Sequence, residues 1–501
     1  MQQPPASATE FVAALPDPEE TDNVEYNPSP EQLRAYSQHL ETTTEFGSPS
    51  YVSQERSRNA EKTKNTVDHK FDHTDYELIG DMLAELADRE LVCLDRRMGR
   101  NPDNTYVCRY YVPKEYSRIA LGWAKLFEPA EPDSEPDFHT VQLPDWDDVA
   151  VRVFPDAGFT AVLGSDYTGE AKKSFLRLFM YYAKQQGGLG LHAGSKRVEL
   201  GTDDGLETVG QLFLGLSGTG KSTLTAHGLW LDEPEGATML QDDVCALLPD
   251  GTVAGSEGQG LFVKTHGLDS ETEPAMYDAV TAESAVLENV DVDDRGHVDF
   301  DSDRYTANGR AIIQREELAS ASDEIDLPAV DQIFFITRNP AMPPVAKLTP
   351  EEAAVAFMLG ESVQTSAGDP DSAGESTRVV GTNPFIIGSE GGEGNRFRDL
   401  INDLDVDCFV LNTGRVGRED IGVEETVTLL RNIARGSLDW ERDGTTGLTL
   451  PTDVPEMDMD KLDLAKALPD AESTLEELRS ERERYLAQFD DLDSAIQNAL
   501  Y

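Results

Sequence analysis

The spacing of apolar and polar residues along the chain predicts a mixed α/β protein. Apolar residues recur at helical spacing over 76–86, 172–186 and 424–435. The clearest helix is predicted over 349–359, because a Thr-Pro pair opens it and Gly360 follows its last turn. Helical and extended patterns alternate, which favours the α/β class. Runs rich in β-branched and aromatic residues predict strands at 91–94, 105–112, 149–154, 160–163, 237–240, 245–248, 331–337 and 408–412.

The pattern also divides the chain into stretches. Residues 1–25 are proline-rich and acidic without periodicity, and are predicted to form a mobile arm. Residues 26–195 are predicted to form an N-terminal lobe and residues 196–450 a second lobe. Residues 451–501 are expected to be an acidic loop followed by an amphipathic helix that opens at Ser473.

Residue composition predicts one hairpin and one long loop. Residues 198–214 are predicted to form a hairpin, with Asp203, Asp204 and Gly205 at its turn. Residues 361–380 are rich in glycine, serine and acidic residues, and are predicted to be a loop.

A glycine-rich sequence follows the apolar run 212–214 and fits the P-loop pattern G-x-x-x-x-G-K-[ST]. Glycines let several backbone N–H groups converge on a phosphate, and the helix that follows adds its positive end. Lys221 can reach the outer phosphates, and the Ser222 hydroxyl can join the coordination shell of Mg²⁺. The sequence therefore predicts a bound nucleotide. The loop reads Gly215-Leu216-Ser217-Gly218-Thr219-Gly220-Lys221-Ser222-Thr223.

Charge excludes some classes of protein. The 501 residues include 95 acidic and 42 basic ones, for a net charge of −53. A nucleic-acid-binding protein would need a basic footprint, and a disordered acidic protein would have less than 39% apolar residues. The acidic residues are spread along the whole chain, which favours a halophilic protein adapted to molar salt.

Compartment signals point to the cytoplasm. The chain has no run of about 18 apolar residues, and its N-terminus lacks a basic region followed by an apolar one. A membrane span or secretory signal is therefore not expected. The four cysteines lie far apart without a CxxC pair, so free thiols in a cytoplasmic enzyme are expected: Cys93, Cys108, Cys245 and Cys408.

Four shorter stretches carry candidate chemistry, and each also has a structural interpretation. Asp242 and Asp243 follow a strand, where a second acidic motif often holds a metal, although a solvated turn has the same composition. Lys173 lies near a helix start, which is unfavourable for a cation unless an anion or metal is near. His192 has apolar and glycine neighbours, typical of a structural histidine. Arg100 lies in a turn that by itself does not indicate a function.

Taken together, these stretches resemble the ATP-dependent phosphoenolpyruvate carboxykinase family over most of the chain. Shorter shared sequences lie at 26–29, 285–290, 306–310, 343–349, 411–414 and 436–439. The order that carries the resemblance is Gly99-Arg100-Asn101-Pro102, Tyr167 to Lys173, His192, the glycine-rich loop, and Asp242-Asp243.

The resemblance implies a two-lobed α/β fold with the P-loop in the C-terminal lobe, the N-terminal lobe binding substrate. It implies decarboxylation of oxaloacetate and phosphorylation of the enolate by ATP, giving phosphoenolpyruvate, CO₂ and ADP for gluconeogenesis. Mn²⁺ and Mg²⁺ are the implied cofactors. Lys173, His192 and Asp243 match the Mn²⁺ ligands, while Lys221 and Ser222 match residues that hold the phosphates and Mg²⁺.

Further roles follow from the same resemblance. Arg100 matches the arginine that binds the substrate carboxylate, and Arg310 the arginine near the transferred phosphoryl group. Lys264 matches a lysine near the phosphates. Tyr167 corresponds to a tyrosine that lines the substrate pocket, and Thr426 to a threonine beside the nucleotide base.

The chain departs from the family at three places, one of which is the divergent Gly-Thr-x-x-Gly stretch before Pro384. Val244-Cys245-Ala246 replaces the usual Glu-His-Gly after the Asp pair, and Asp420 stands about where an arginine is expected, with Arg418 close by. Two alternatives therefore stay open: a kinase of the same fold acting on a small-molecule or protein hydroxyl, and a silent nucleotide-binding regulator. We expect a monomer or small homo-oligomer, with no nucleic-acid or membrane partner.

Overall fold

The computed structural model describes residues 8–57, 59–203, 205–363, 376–468 and 470–501. Contacts group the chain into two compact units, each built from two separate stretches of sequence. Residues 256–319 were predicted from the sequence to lie in the second lobe, whereas their contacts place them in unit 1. Periodicity could not indicate this, because it does not show which sheet a strand joins. Unit 1 comprises Met1–Tyr182 and Ser256–Ala319, and unit 2 comprises Ala183–Gly255 and Ser320–Tyr501.

Unit 1 contains a large mixed sheet. The helix His73–Leu86 buries Ile79, Met82 and Leu86 in the hydrophobic core that this sheet shares. The strands lie in the spatial order Val24–Tyr26, Leu91–Met98, Tyr106–Pro113, Phe138–Leu143, Phe159–Leu163, Ala150–Phe154 and Thr63–Asn65, with Glu128–Pro129 paired to Leu91–Met98.

A second sheet of unit 1 carries two predicted site residues. Gly260–Lys264 and Arg310–Gln314 are antiparallel neighbours, and their register pairs Lys264 with Arg310. Two cationic side chains are therefore held at adjacent positions of the sheet. The strand order is Gly260–Lys264, Arg310–Gln314, Val286–Glu288, Pro49–Tyr51 and Thr42–Thr43; a separate pair is formed by Asp291–Val292 and Val298–Asp299.

Unit 2 contains an eight-stranded sheet with hydrophobic residues on both faces. The predicted hairpin is present as the antiparallel pair Ala193–Thr202 and Gly205–Gly215; Asp204 of its turn lies outside the described residues. The second strand of the hairpin ends where the glycine-rich loop begins. The spatial order is Gly236–Gln241, Ala193–Thr202, Gly205–Gly215, Gln332–Thr337, Asp407–Asn412, Val345–Leu348, Thr449–Pro451 and Trp440–Arg442.

Smaller sheets complete unit 2. The segment predicted as a loop at 361–380 begins and ends in paired strands, and residues 364–375 lie outside the described part of the chain. The strands are Leu189–Leu191, Cys245–Leu247 and Val253–Gly255 in one sheet, Glu361–Val363 with Ser376–Arg378 in a second, and Arg415–Val416 with Glu419–Asp420 in a third.

The predicted helix over 349–359 is present as Pro350–Leu359. The Thr349 hydroxyl accepts from the Glu352 backbone N–H at 3.3 Å, and the Glu352 carboxylate accepts from the Thr349 N–H at 3.0 Å. Gly360 closes the helix with φ +43°. The other α-helices are Ala8–Ala13, Pro30–Tyr36, His73–Leu86, Ser117–Ala124, Thr168–Gln185, Lys221–Ala226, Pro274–Val280, Glu390–Asp403, Val423–Ala434, Leu464–Ala467, Ala471–Leu486 and Ser494–Gln497.

Both ends of the described chain differ from the sequence prediction. Residues expected in an arm without regular structure include the helix Ala8–Ala13, whose Phe11 is fully buried against the rings of Phe154 and Phe159. The single terminal helix expected from Ser473 onward is two helices, because the chain turns after Leu486 and Asp493 caps a new start. No described helix combines the length and the hydropathy needed to cross a bilayer.

Candidate active site

The glycine-rich loop joins a central strand of unit 2 to the short helix Lys221–Ala226. Gly218 and Gly220 have φ of +83° and +94°, a region that favours glycine. Arg338 donates to the Gly218 carbonyl at 3.0 Å, and the Thr413 hydroxyl donates to the Thr219 carbonyl at 2.7 Å. The loop is therefore held by two residues that follow neighbouring strands of the same sheet.

The N-terminal residues of the helix face solvent where a phosphate ligand would be expected. Ser222 and Thr223 are both exposed, and Lys221 is partly buried. The helix that follows the loop is short. It ends at Ala226, and Leu229 and Trp230 then adopt positive φ values of +56° and +50°.

Three predicted site residues of unit 2 lie together. His192 Nε2 is 3.0 Å from Asp243 Oδ1 and 3.3 Å from Lys221 Nζ. Lys221 Nζ lies 4.0 Å from the same carboxylate oxygen. His192 follows the strand Leu189–Leu191 of the three-stranded sheet. Asp243 lies between Gly236–Gln241 of the eight-stranded sheet and Cys245–Leu247 of the three-stranded sheet, and Lys221 opens the helix after the glycine-rich loop.

The hydrogen bonds of His192 determine which ring nitrogen can act as a ligand. Its Nδ1 lies 2.7 Å from the carbonyl oxygen of Thr382, which can only accept, so the proton is assigned to Nδ1. Burial and the Lys221 charge lower the pKa of His192, against the opposing effects of Asp243 and Thr382. The neutral ring then directs the Nε2 lone pair toward Asp243.

This arrangement fits a cation. A neutral imidazole nitrogen and a carboxylate oxygen both present lone pairs, and at 3.0 Å they repel unless a cation offsets the repulsion. The Lys221 ammonium, 3.3 Å from the nitrogen and 4.0 Å from the oxygen, is one such cation, and a metal ion bound between the two atoms would be another. Carboxylate and imidazole groups are also ligands that Mn²⁺ accepts. Among the described residues, no group of three or more His, Cys, Asp or Glu is placed to hold a metal. A metal bound here would therefore use a ligand of another type as well.

Cationic side chains of unit 1 surround two aromatic rings. The Lys173 ammonium lies 5.5 Å from the ring centre of Tyr167, and Lys172 and Arg310 lie 5.4 and 5.3 Å from that of Phe262. The two rings are 6.1 Å apart. Such a concentration of positive charge in an acidic protein suits a multiply charged anion.

Burial and neighbouring charges alter the ionisation of the residues in this cluster. Lys172 is almost fully buried, and its ammonium is 3.0 Å from Glu257. Desolvation and the neighbouring Arg310 charge lower the pKa of Lys264. Desolvation raises the pKa of Tyr167, although the Arg310 charge opposes that shift. Tyr167 therefore stays a neutral phenol at physiological pH.

Arg100 lies in the turn after the strand Leu91–Met98. Its guanidinium contacts the Glu128 carboxylate at 2.8 Å and the Gly258 carbonyl at 3.0 Å. Arg97 contacts the same carboxylate at 2.6 Å. Burial alone would raise the pKa of Glu128, but hydrogen bonds from Arg100 and Arg97 lower it. Arg100 is thereby held in one orientation while about a third of its side chain stays exposed.

Thr426 and the divergent stretch after Asp243 lie in the interior. The Thr426 hydroxyl donates to the Gly422 carbonyl at 2.9 Å, within the first turn of Val423–Ala434. Val244, Cys245 and Ala246 are fully buried, and Cys245 pairs with Leu191 in the small sheet. The replacement of the family's Glu-His-Gly thus places an apolar core directly behind Asp243.

Sequence reasoning missed several residues that support the site. Thr382 contacts His192 through its backbone, so no side-chain pattern could reveal it. Glu128 and Arg338 lie in segments without a recognisable motif. Thr413 belongs to the sequence 411–414 that the chain shares with the family, but no function was predicted for it from the sequence.

The glycine-rich loop of unit 2 and the cationic cluster of unit 1 belong to a mixed α/β protein and suit phosphorylated, anionic ligands. A sequence profile of phosphoenolpyruvate carboxykinases matches residues 40–460. The chain belongs to the ATP-dependent phosphoenolpyruvate carboxykinase family. Family membership confirms the resemblance, the α/β fold class and the predicted enzyme class, an ATP-dependent carboxykinase.

Curated relatives carry the same name. The chain is 35% identical over 447 residues to the phosphoenolpyruvate carboxykinase (ATP) of Aeropyrum pernix, covering 87% of this chain and 88% of that one. It is 28% identical over 452 residues to the Alkaliphilus oremlandii protein, covering 84% and 82%. It is 33% identical over 316 residues to the Afipia carboxidovorans protein, covering 60% of this chain and 55% of that one.

Proposed function

We propose that the chain converts oxaloacetate and ATP to phosphoenolpyruvate, CO₂ and ADP with Mn²⁺ held by His192 and Asp243. The observation that carries the metal assignment is the neutral His192 ring, whose Nε2 lone pair faces the Asp243 carboxylate at 3.0 Å. The family resemblance adds Lys173 as a third protein ligand. When bound there, Mn²⁺ would supply a Lewis-acid charge beside an enolate oxygen.

The reaction cleaves a carbon–carbon bond of oxaloacetate and then transfers a phosphoryl group from ATP. When the bond between the carboxylate and the adjacent carbon of oxaloacetate breaks, CO₂ leaves and the electron pair moves onto the carbonyl oxygen. That enolate oxygen attacks the γ-phosphorus of ATP, and the bond to the ADP oxygen breaks. Lys221 and Arg310 carry charges that offset the negative charge of the transferred group.

The other predicted residues bind and orient substrates. Arg100, held by Glu128, is assigned to the substrate carboxylate, since guanidinium matches carboxylate geometry. Tyr167 is assigned to the wall of the substrate pocket. Ser222 is assigned to Mg²⁺ of the bound nucleotide. Lys264 is assigned to the phosphates and Thr426 to the base, both on the family resemblance alone.

The proposal also covers the salt, the compartment and the oligomeric state in which the enzyme works. The even spread of acidic residues supports a halophilic enzyme without a nucleic-acid partner. A cytoplasmic location and a monomer or small homo-oligomer belong to the proposal as expectations. Because both substrates are anions and the net charge is −53, local cationic clusters are needed to attract them.

The activity can be assayed in the carboxylating direction. Purified protein in molar KCl is mixed with phosphoenolpyruvate, bicarbonate, ADP and Mn²⁺, and the oxaloacetate formed is coupled to NADH oxidation. We expect turnover that depends on Mn²⁺ and on ADP. Absence of turnover across a range of salt concentrations, in protein that still binds ATP, would contradict the proposal.

A further inference from the structure

Lys196 is a fully buried cation in unit 2. It lies in the strand Ala193–Thr202, and its side chain has no exposed surface. No carboxylate in the described part of the chain forms an ion pair with it, and burial is the single cause that alters its pKa. Burying an ammonium without a counter-charge is costly, so its contacts must compensate.

Those contacts are with the end of the helix that follows the glycine-rich loop. The Lys196 ammonium donates to the carbonyl of Leu224 and, at 2.6 Å, to the carbonyl of His227. The last carbonyls of a helix have no partner within it, and a cation there also interacts favourably with the helix dipole. Lys196 thereby anchors the C-terminal end of Lys221–Ala226 to the sheet.

An aromatic row bounds the ammonium on its other side. Phe213, Phe334 and Phe409 stack across neighbouring strands with ring centres 5.2 Å apart in each pair. The Lys196 ammonium lies 5.4 Å from the Phe213 ring centre. At the far end of the row, Lys347 lies 6.0 Å from the Phe409 ring centre. Lys196 is thus confined between a ring face and two carbonyls.

The helix needs such an anchor. It has six residues, and helices this short have too few internal hydrogen bonds to be stable alone. Its other contact with the strand is close, because a side chain at Gly194 would collide with Thr225. Burial lowers the pKa of Lys196 to about 7. The neutral amine still has two N–H donors for the two carbonyls, so both hydrogen bonds persist on deprotonation.

We propose that Lys196 is a positioning residue for nucleotide binding. By fixing the end of Lys221–Ala226, it sets the places of Lys221 and Ser222 beside the glycine-rich loop. This inference rests on the proposed role of that loop in holding the phosphates of ATP.

The test compares two lysine-to-methionine variants. Lys196→Met keeps the unbranched apolar stem of the side chain but removes the terminal amine that donates. Lys347→Met removes the cation at the opposite end of the same aromatic row, where Lys347 pairs with Asp407 rather than with the helix. We expect Lys196→Met to weaken ATP binding about tenfold in titration calorimetry, while the KM for phosphoenolpyruvate stays unchanged. Lys347→Met should alter neither quantity.

Amide hydrogen exchange provides a second readout. Residues 221–227 should exchange faster in Lys196→Met than in wild type, and at the wild-type rate in Lys347→Met. If Lys196→Met does not fold, Lys196→Gln takes its place, because a side chain one atom shorter cannot reach both carbonyls. The same loss of ATP affinity is expected from it.

Each result decides between the inference and the function on which it rests. Wild-type ATP affinity and exchange in a folded Lys196 variant would overturn the role of Lys196 alone. Equal losses of ATP and phosphoenolpyruvate binding would also overturn it, because they indicate general destabilisation. If the wild-type protein fails to bind ATP, the proposed function of the loop is contradicted instead.

Discussion

The two ring nitrogens of His192 have different neighbours, and this difference determines what the residue can bind. Nδ1 contacts the Thr382 carbonyl, whereas Nε2 faces Asp243 and Lys221, so a metal ion would bind at Nε2. The sequence indicated His192 and Asp243 through the family resemblance. It could not indicate Thr382, because a backbone carbonyl contributes to a site through chain geometry and not through residue type.

Replacing His192 should separate metal binding from nucleotide binding. His192→Ala removes one ligand, so we expect Mn²⁺ affinity to fall at least about tenfold, with a small change in ATP affinity. Electron paramagnetic resonance measures free Mn²⁺, and calorimetry measures ATP. His266→Ala, at an exposed histidine of unit 1, is the control. Equal losses of both affinities would argue against a separate metal site.

Arg100 and Arg97 offer a matched pair for the substrate carboxylate. Both contact Glu128, but the family resemblance assigns substrate binding to Arg100 alone. Arg100→Gln should raise the KM for phosphoenolpyruvate about tenfold or more, because a charged hydrogen bond is lost. Arg97→Gln should change it little. Similar KM values for the two variants would show that Arg100 acts only through Glu128.

At the scale of elements, helix boundaries were predicted best where the capping residues lie next to the helix in sequence. Pro350–Leu359 begins and ends as predicted, because its capping box and terminal glycine lie within a few residues of the helix. The helix Ala8–Ala13 was not predicted, since its stability depends on Phe11 packing against residues far along the chain. Distant contacts of this kind leave no periodic pattern in the sequence.

The capping box of Pro350–Leu359 is expected to make a measurable contribution to the free energy of unfolding. Thr349→Ala removes the hydroxyl that accepts from Glu352, and we expect a loss of about 1 kcal/mol in the stability of unit 2. The loss is measured as a shift of the urea unfolding midpoint. Thr208→Ala, at an exposed strand position, should shift the midpoint far less. An unchanged midpoint in Thr349→Ala would show that the cap is dispensable.

At the scale of the whole molecule, net charge makes stability depend on salt. With −53 charges, repulsion between carboxylates opposes the folded state, and dissolved ions screen it. We expect the thermal unfolding midpoint to rise steeply between about 0.1 and 2 M KCl, a range over which the screening length shortens several-fold.

A non-ionic solute separates screening from other effects of concentrated solution. Sucrose at matched osmolality stabilises folded proteins by exclusion from their surface, without screening charge. The midpoint should therefore rise more in KCl than in sucrose. Equal rises in the two solutes would contradict the electrostatic explanation.

The path of the chain has a consequence for how the protein can be made and cut. It leaves unit 1 after Tyr182, returns after Gly255 and leaves again after Ala319. During synthesis the first stretch of unit 2 emerges while unit 1 still lacks its closing strands, so unit 1 can complete its fold only after part of unit 2 has been made. A single cut or truncation cannot separate them, and isolating either one requires joining two distant pieces of the gene.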